Sequence, residues 1–407
     1  MKKIFLFLTI VFVPCQAFAQ DYSLGIFQYF IEKTDDKYPS SNQPLFKPYS
    51  SNRLVFDVNF DDNYQTTDQR REHYNASARA RFFSSLNFSK NFAINYELRL
   101  DQFNNALEND RRNSSPNGGG DRFFEDQGIY IRELNMSYSA KKYTLLAGKY
   151  SLDFGTAWDW NRGIWTYEIA NSYQQSEKIG IGGIYRLGDI KKTGLYNFSF
   201  NSFVNDRKYL DNSILNKRDS DSKSAAIPGD ENLPQSYNAA IDINFDFGER
   251  EKLSYHFSYL NLAVNGRATA VDQGKLDDQK GSALGMNYKY PVGENVDLNA
   301  LIEYVDMKNV GGDSDVGQKY LTANVIGKFY QNWVTTLGYA ERRTIEVVNP
   351  GLDQNLSEIS FGYEFDKNSL FDKLLVQIGY KNERNNHKTS LETNNDYGVL
   401  LRYVKKF

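Results

Sequence analysis

Charged residues of opposite sign in neighbouring segments are the first candidates for chemistry in this sequence. Bases and acids on opposite sides of a narrow passage would create a transverse electric field, which orients dipolar molecules and excludes apolar ones. The alternative is that these charges pair along one surface and only solvate it. The basic candidates are Arg79, Arg81, Arg99, Arg132 and Lys149, and the acidic candidates are Asp153, Asp159 and Glu168.

A second candidate is His256, which has Ser254 and Ser258 two residues away on either side. Residues at i and i±2 share one face of a strand, and Asp242 on the preceding segment is a conceivable orienting partner. Hydrolase sites use such groups, although a lone histidine on a polar face is more often simple lining. We therefore expect no catalytic residue, no metal site and no cofactor.

Alternation of apolar and polar residues with a period of two predicts the elements that position these side chains. Ile94, Tyr96, Leu98 and Leu100, for example, alternate with polar residues at 95, 97, 99 and 101. Successive side chains of a strand point to opposite faces, so each such strand has one apolar and one polar face. Sixteen strands are predicted, near 53–61, 73–83, 92–102, 129–138, 143–150, 177–187, 194–203, 237–247, 252–262, 282–290, 296–305, 319–329, 333–342, 357–365, 373–381 and 397–407.

The connections between these strands alternate between short and long. Seven short ones lie near 89–91, 139–142, 188–193, 248–251, 291–295, 330–332 and 366–372, and the intervening ones are longer and very polar. This order is typical of an outer-membrane barrel, which has short turns at one end and long loops at the other. The prediction is an all-β fold, a transmembrane antiparallel up-and-down β-barrel of about 16 strands. The alternatives are 18 strands, or a large soluble sandwich or β-helix.

The N-terminus has the three parts of a secretory signal peptide. Two lysines precede the apolar run Ile4–Val13, and Ala17-Phe18-Ala19 forms a small-residue cleavage site. We expect cleavage of residues 1–19, which leaves 388 of the 407 residues. Residues 20–50 are then an N-terminal periplasmic or lumenal segment, or two extra strands. Residues 51–407 form the barrel, with an inserted loop at 151–175.

Composition excludes several classes of protein. The single cysteine, Cys15, lies in the expected signal peptide, so disulfides and thiolate sites are excluded from the remainder. After cleavage, 46 basic residues stand against 51 acidic ones, and this mild negative charge argues against a nucleic-acid partner. The mean hydropathy of −0.61 excludes a bundle of transmembrane helices.

Two stretches of the sequence resemble a known family. The last strand carries apolar residues at alternate positions and ends in Phe407, and it resembles the C-terminal signature of Gram-negative outer-membrane proteins. The run 145–149, which ends in Gly148-Lys149 and precedes Asp153-Phe154-Gly155, is similar to the end of the fifth strand of Gram-negative porins. Arg132-Glu133-Leu134 followed by Gly148-Lys149 is equally similar to barrels of the alginate-export type.

The resemblance to the outer-membrane porin superfamily implies function and partners. It implies residence in the outer membrane and passive diffusion of small hydrophilic solutes and ions. It places the loop 151–175 in the lumen as a constriction. The alternatives are a selective channel or exporter for a saccharide or an anionic polysaccharide, an outer-membrane barrel enzyme, and an adhesive surface protein. The implied partners are outer-membrane lipids, lipopolysaccharide, the barrel-assembly machinery through the Phe407 strand, and a homotrimer.

The polar faces of the predicted strands suggest the ion selectivity of such a lumen. Eight bases and eight acids lie on them, so we expect weak selectivity overall. The bases are Arg79, Arg81, Arg99, Lys289, Lys328, Arg342, Lys381 and Arg402; the acids are Asp57, Glu97, Asp101, Asp242, Asp246, Asp297, Glu303 and Glu364.

Overall fold

A computed structural model describes most of the chain. The described residues are 48–67, 72–103, 121–161, 163–205, 210, 213–215, 228–229, 234–248, 250–264, 276–346, 353–365, 373–387 and 390–407. The expected signal peptide, and positions 20–47 of the expected N-terminal segment, lie outside these residues.

Almost all of the described secondary structure is β-strand. Two short helices, α1 (Ala157–Trp160) and α2 (Tyr167–Asn171), lie between the sixth and seventh strands, and a 3-10 turn spans Val310–Gly312. None of the described helices is long and apolar enough to cross a membrane. The strands are β1 (Tyr49–Thr66), β2 (His73–Asn87), β3 (Phe92–Gln102), β4 (Arg122–Phe123), β5 (Gln127–Ser139), β6 (Tyr143–Tyr150), β7 (Lys178–Asp189), β8 (Gly194–Asn205), β9 (Ser236–Asp246), β10 (Lys252–Leu262), β11 (Gln279–Pro291), β12 (Val296–Lys308), β13 (Val316–Phe329), β14 (Trp333–Glu346), β15 (Asp353–Glu364), β16 (Leu374–His387) and β17 (Ser390–Lys406).

The strands close into a single antiparallel ring. Each of the long strands pairs with its neighbours in sequence, and β1 pairs with both β2 and β17. The two-residue β4 pairs in parallel with β2, while β3 pairs directly with β5, so β4 lies outside the ring. Sixteen strands therefore form the barrel, as the periodicity predicted. Closure bonds the backbone groups between strands, which is the condition for a sheet to cross a bilayer.

The barrel closes where the two ends of the described chain meet. The amide of Phe407 donates to the carbonyl of Asn52, and the amide of Asn52 donates to the carbonyl of Phe407. A few residues further in, Arg402 donates two hydrogen bonds to Asp57, at 2.8 and 3.1 Å, across directly paired positions. A bidentate pair of this kind fixes register as well as adding energy.

The apolar phase of the strands faces outward. Phe56 is 38% exposed, whereas its neighbours Val55 and Asp57 are each 1% exposed. Aromatic residues cluster at both ends of the outer surface: Trp333 stacks on Phe361 near a short turn, and Tyr64 stacks on Tyr397 at the opposite end. An apolar band between two aromatic girdles is the exterior that an outer-membrane barrel presents to lipid.

Several strands extend beyond their predicted limits. A long connection was expected between 381 and 397, but β16 continues to His387 and β17 starts at Ser390. In this extension, polar residues such as Glu383 and Asn394 pair directly. Hydropathy alternation marks only the part of a strand that meets lipid, so it does not reveal a polar hairpin that projects past the membrane.

The outward phase of β12 gives a test of the membrane-facing surface. Ile302, at the strand centre, is 47% exposed on the outside, while Asn299 shares the inward phase of Glu303. We expect Ile302→Arg to destabilise the barrel by about 2–4 kcal/mol because it places a cation in hydrocarbon. Asn299→Arg should cost about 0.5 kcal/mol or less. Urea unfolding in lipid vesicles, followed by tryptophan fluorescence, measures both, and equal losses would contradict the assignment of faces.

Candidate functional site: a loop inside the barrel

The connection between β6 and β7 packs against the inner wall of the barrel. Leu152, Phe154, Trp165 and Tyr173 of this connection are each 2% exposed or less. They form one apolar cluster with inward-facing wall residues, namely Phe203, Leu260, Ala283, Leu301, Val305, Met307, Tyr320, Ala340, Leu356 and Leu400. Burial of this apolar surface holds the segment 151–175 in the lumen.

Gly148 lets β6 approach β5 closely just before this segment. Its φ is +126°, a conformation that residues with side chains rarely adopt, and a Cβ there would lie 2.5 Å from the carbonyl oxygen of Leu134. The next residue, Lys149, is 1% exposed and pairs with Glu177 at 2.9 Å. Backbone geometry therefore requires the glycine at 148, and the ion pair with Glu177 fixes the lysine that follows it.

Glu303 on β12 is the first of two wall carboxylates that hold the loop. It accepts hydrogen bonds from the amides of Thr156 (2.5 Å) and Ala157 (3.0 Å), and from the hydroxyl of Thr156 (2.7 Å). The hydroxyl of Tyr173 donates to it as well. Burial and the adjacent Glu303 raise the pKa of Tyr173 well above its usual value, so this phenol remains a donor.

Glu358 on β15 holds the far part of the loop in the same way. Its carboxylate accepts hydrogen bonds from the amides of Ile164 (2.6 Å), Trp165 (2.8 Å) and Thr166 (2.8 Å), and from the hydroxyl of Thr166 (2.6 Å). Glu303 is 1% and Glu358 5% exposed. Hydrogen bonds to a buried charged group are the strong ones, so these two carboxylates fix the loop against one side of the wall.

The opposite side of the lumen carries a wall of arginines. Arg79 and Arg81 lie on β2, Arg99 on β3 and Arg132 on β5, and they line one side of a cavity whose other side is the loop. Arg53 of β1 and Arg402 of β17 extend this wall. On its loop side the cavity is lined by Trp158, Asp159, Asn161, Tyr167, Asn171 and Gln174.

Acids on the strands neutralise part of the arginine wall. Asp101 lies 3.1 Å from Arg79 and 2.9 Å from Arg99, Asp57 pairs with Arg402, and Glu97 lies 3.9 Å from Arg132. Among the described residues that line the cavity or pair with its arginines, six arginines stand against the four acids Asp57, Glu97, Asp101 and Asp159, so bases outnumber acids by two.

Arg79 connects the wall to the loop directly. Its guanidinium donates to the hydroxyl of Tyr167 at 3.1 Å and lies 5.3 Å from the centre of the same ring. Burial is the largest influence on Tyr167 and raises the pKa of its phenol, although Arg79 opposes this. The contact therefore joins a cation to a neutral ring.

Of the predicted acids, Asp159 lines the same cavity as the arginines. The remaining predicted site residues, Lys149, Asp153 and Glu168, lie away from the arginine wall. Lys149 pairs with Glu177, and its ammonium also donates to the carbonyl of Leu210 at 2.9 Å. Glu168 lies 3.8 Å from Lys381 on β16. These charges lie in separate clusters rather than on two facing lines.

Asp153 belongs to a cluster around His256. The Nδ1 atom of His256 lies 2.8 Å from Asp242 and 3.8 Å from Asp153, and its Nε2 atom lies 2.9 Å from the hydroxyl of Ser258. Ser254 instead donates to Asn244. Asp242 faces His256 in the register of β9 and β10, so the predicted Asp–His–Ser neighbourhood is present. The approach of Asp153 from the loop was not predicted.

Sequence reasoning missed both the anchor at Glu358 and the apolar inner wall. Glu358 shares the polar phase of Ser360 and Glu364 on its strand, which is the signal that could have identified it. The inner wall could have been found from Leu301, Val305 and Leu356, which are apolar residues on the phase that is polar elsewhere. Such exceptions indicate a strand that is covered on its inner face.

No family model matches the chain, and no curated protein matches it. Among solved structures, the outer-membrane channel DcaP of Acinetobacter baumannii is 13% identical, with a TM-score of 0.50 over 88% of this chain and 97% of that one. The chain has the porin-type barrel fold of the Gram-negative outer membrane.

Two further solved structures resemble the chain. An anion-selective porin from Comamonas acidovorans is 12% identical, with a TM-score of 0.47 over 88% of this chain and 99% of that one. A loop-deletion mutant of OmpT, an outer membrane protein of Vibrio cholerae, is 10% identical, with a TM-score of 0.49 over 89% and 100%. The closed ring and apolar exterior of this porin-like barrel place it in the outer membrane.

The Glu358 anchor of this porin-like barrel can be tested directly. Glu358→Ala removes four hydrogen bonds to the loop, each worth about 1.5–3 kcal/mol when the acceptor is charged. We expect a loosened loop, seen as a noisier or larger single-channel conductance in planar bilayers. Glu364→Ala is the matched control, because Glu364 lies on the same strand and pairs with Lys328. Identical traces for the two variants would contradict the anchoring role.

Glu168 gives the lumen a pH dependence near neutrality. Enclosure in the barrel is the largest influence and raises the pKa of Glu168 to about 7, although 45% of its side chain is exposed to the lumen; Lys381 opposes this shift, and Asp61, Glu383 and Asp396 support it. Lowering the pH from 8 to 6 neutralises this carboxylate and leaves the lumen more positive. We expect the reversal potential in a KCl gradient to move toward greater anion permeability, and Glu168→Gln to reduce that movement. An unchanged pH response in the variant would contradict this assignment.

Proposed function

We propose that this protein is an outer-membrane channel for the passive diffusion of small hydrophilic solutes and ions. The observation that carries the proposal is the cavity between the loop and the arginine wall. The loop packs through apolar side chains against one side of the lumen. The polar passage therefore lies toward β17, β1, β2, β3 and β5. Polar and charged side chains line that passage on both sides.

The charges around this passage support a mild preference for anions. Two positive charges remain after the four acids are counted, and guanidinium groups stay charged at any pH the cell meets. A field from one wall acts strongly on a solute where low-dielectric surfaces narrow the passage. Because most arginines have a carboxylate partner, we propose a weak selectivity rather than an exclusion of cations.

A second candidate is a selective channel for a saccharide or an anionic polysaccharide. Trp158 and Tyr167 of the loop line the same cavity as the arginines, with Asn171 and Gln174 beside them. Aromatic faces can stack on sugar rings, while amides and guanidinium groups can bind hydroxyl and carboxylate groups. Block of the ion current by neutral and acidic oligosaccharides separates this candidate from general diffusion.

The function is tested by single-channel conductance in planar bilayers. Large ohmic steps with weak selectivity support a diffusion channel, whereas closed or very small steps contradict it. Steps in multiples of three, together with the mass of the detergent-solubilised particle, test the homotrimer that belongs to this proposal. Contacts with lipopolysaccharide and recognition of the Phe407 strand by the assembly machinery belong to it as well.

The arginine wall makes a specific prediction for ion selectivity. Replacement of Arg79 and Arg81 by Gln removes two positive charges from the cavity, so we expect the preference to shift from weakly anionic toward cationic. Asp159→Asn should shift it in the opposite direction. Lys289→Gln, on the distant strand β11, is the control. Reversal potentials in a KCl gradient measure all three, and the absence of a shift on removing both arginines would exclude a constriction at this wall.

We propose no enzymatic activity for the Asp242–His256–Ser258 chain. Its connectivity is that of a serine hydrolase triad, but Ser258 is only 8% exposed and its hydroxyl accepts a hydrogen bond from the amide of Gly155 at 3.4 Å. The inserted loop therefore covers the would-be nucleophile. Ester hydrolysis that is lost in Ser258→Ala would contradict this view.

A further inference from the structure

We propose that Asp153, Asp242 and His256 bind a divalent transition-metal cation such as Zn²⁺, which fastens the inserted loop to the barrel wall. The three residues come from three elements: the loop, β9 and β10. A cation bound by all of them would join the start of the loop to two strands.

The distances suit a shared cation. One ligand atom from each residue lies within 4.8 Å of the other two. The Nδ1 atom of His256 is 2.8 Å from Asp242 and 3.8 Å from Asp153. Ligands about 2.0–2.2 Å from a zinc ion are separated by roughly 3–4 Å, so small side-chain movements are sufficient for coordination.

The charge of the cluster favours a cation. One carboxylate oxygen of Asp153 and one of Asp242 lie within 4.8 Å of each other, and two partly buried carboxylates this close repel when both are ionised. A Cβ placed on Gly285 would lie 3.1 Å from Oε2 of Glu303 and 3.6 Å from Cβ of His256, so both residues lie next to this glycine. A third acid is therefore close, and a divalent ion would neutralise the pair.

The surroundings of the cluster supply a further oxygen and an oriented imidazole. Asn197 faces Asp242 in the register of β8 and β9, is 4% exposed, and its Oδ1 atom has no hydrogen-bond partner. Ser258 contacts Nε2 of His256. When Nε2 donates to that hydroxyl, Nδ1 is left with a free lone pair that points at both carboxylates, which is how ligating histidines are usually held.

The mixture of donor atoms predicts which cation binds. An imidazole nitrogen with two carboxylates suits Zn²⁺ and its spectroscopic substitute Co²⁺, whereas Mg²⁺ prefers oxygen ligands alone. Binding should therefore persist in a large excess of Mg²⁺.

The proposal is tested with the purified, untagged full chain and Zn²⁺ alone. We expect one Zn²⁺ per chain after equilibrium dialysis, and a Co²⁺ absorption spectrum of a site with nitrogen and oxygen ligands. Asp242→Asn and Asp153→Asn should each weaken binding by at least about tenfold. Asp246→Asn is the matched control, because Asp246 lies on the same strand and the same face. Heat-modifiable migration on gels verifies that every variant is folded.

Two results would overturn the proposal. The site is absent if the wild-type chain retains no stoichiometric Zn²⁺, or if Asp242→Asn and Asp246→Asn bind it equally. The role of the metal in holding the loop has its own test. Removal of Zn²⁺ should increase the current noise of the wild type but leave that of Asp242→Asn unchanged. The same change in noise for both proteins would show that bound metal does not restrain the loop. Neither result depends on whether the channel prefers anions.

Discussion

The pair of buried wall carboxylates, Glu303 and Glu358, is the interaction on which the rest of the lumen depends. Each accepts four hydrogen bonds from a loop whose backbone amides would otherwise be unpaired in the barrel interior. A buried amide without a partner costs about as much as a lost hydrogen bond. These carboxylates therefore make insertion of the loop compatible with its burial.

Insertion of the loop makes the lumen asymmetric. The wall from β8 around to β17 supplies apolar residues such as Phe203, Leu301 and Leu356, which pack against the loop. The remaining wall, from β17 through β1 to β5, carries arginines and stays polar. Where the loop packs therefore decides which part of the wall lines the cavity. In the proposed channel, selectivity would depend on the few charged side chains that line this cavity and less on the balanced total of lumen charges.

Charged side chains have three different roles in this barrel. Asp57 and Arg402 pair across the closing strands and fix register. Glu303 and Glu358 bind backbone amides. Among the described residues the acids pair with part of the arginine wall, and in the proposed channel these arginines are the charges that a passing ion would meet. The cluster around His256 is a further contact between loop and wall. A cation bound there would make the position of the loop depend on metal as well as on hydrogen bonds.

The sequence by itself determined the barrel, because period-two alternation and a closed sheet are consequences of the bilayer as solvent. It predicted sixteen strands and the inward direction of residues such as Arg81 and Glu303, but not the short hairpin that joins β16 to β17. Only the tertiary structure decided which charges meet. Asp153, Asp159 and Glu168 lie within one short segment, yet they reach His256, the arginine wall and Lys381, respectively. The conformation of a loop inside a lumen is set by contacts with strands that are tens to hundreds of residues away, and local periodicity carries no information about such contacts.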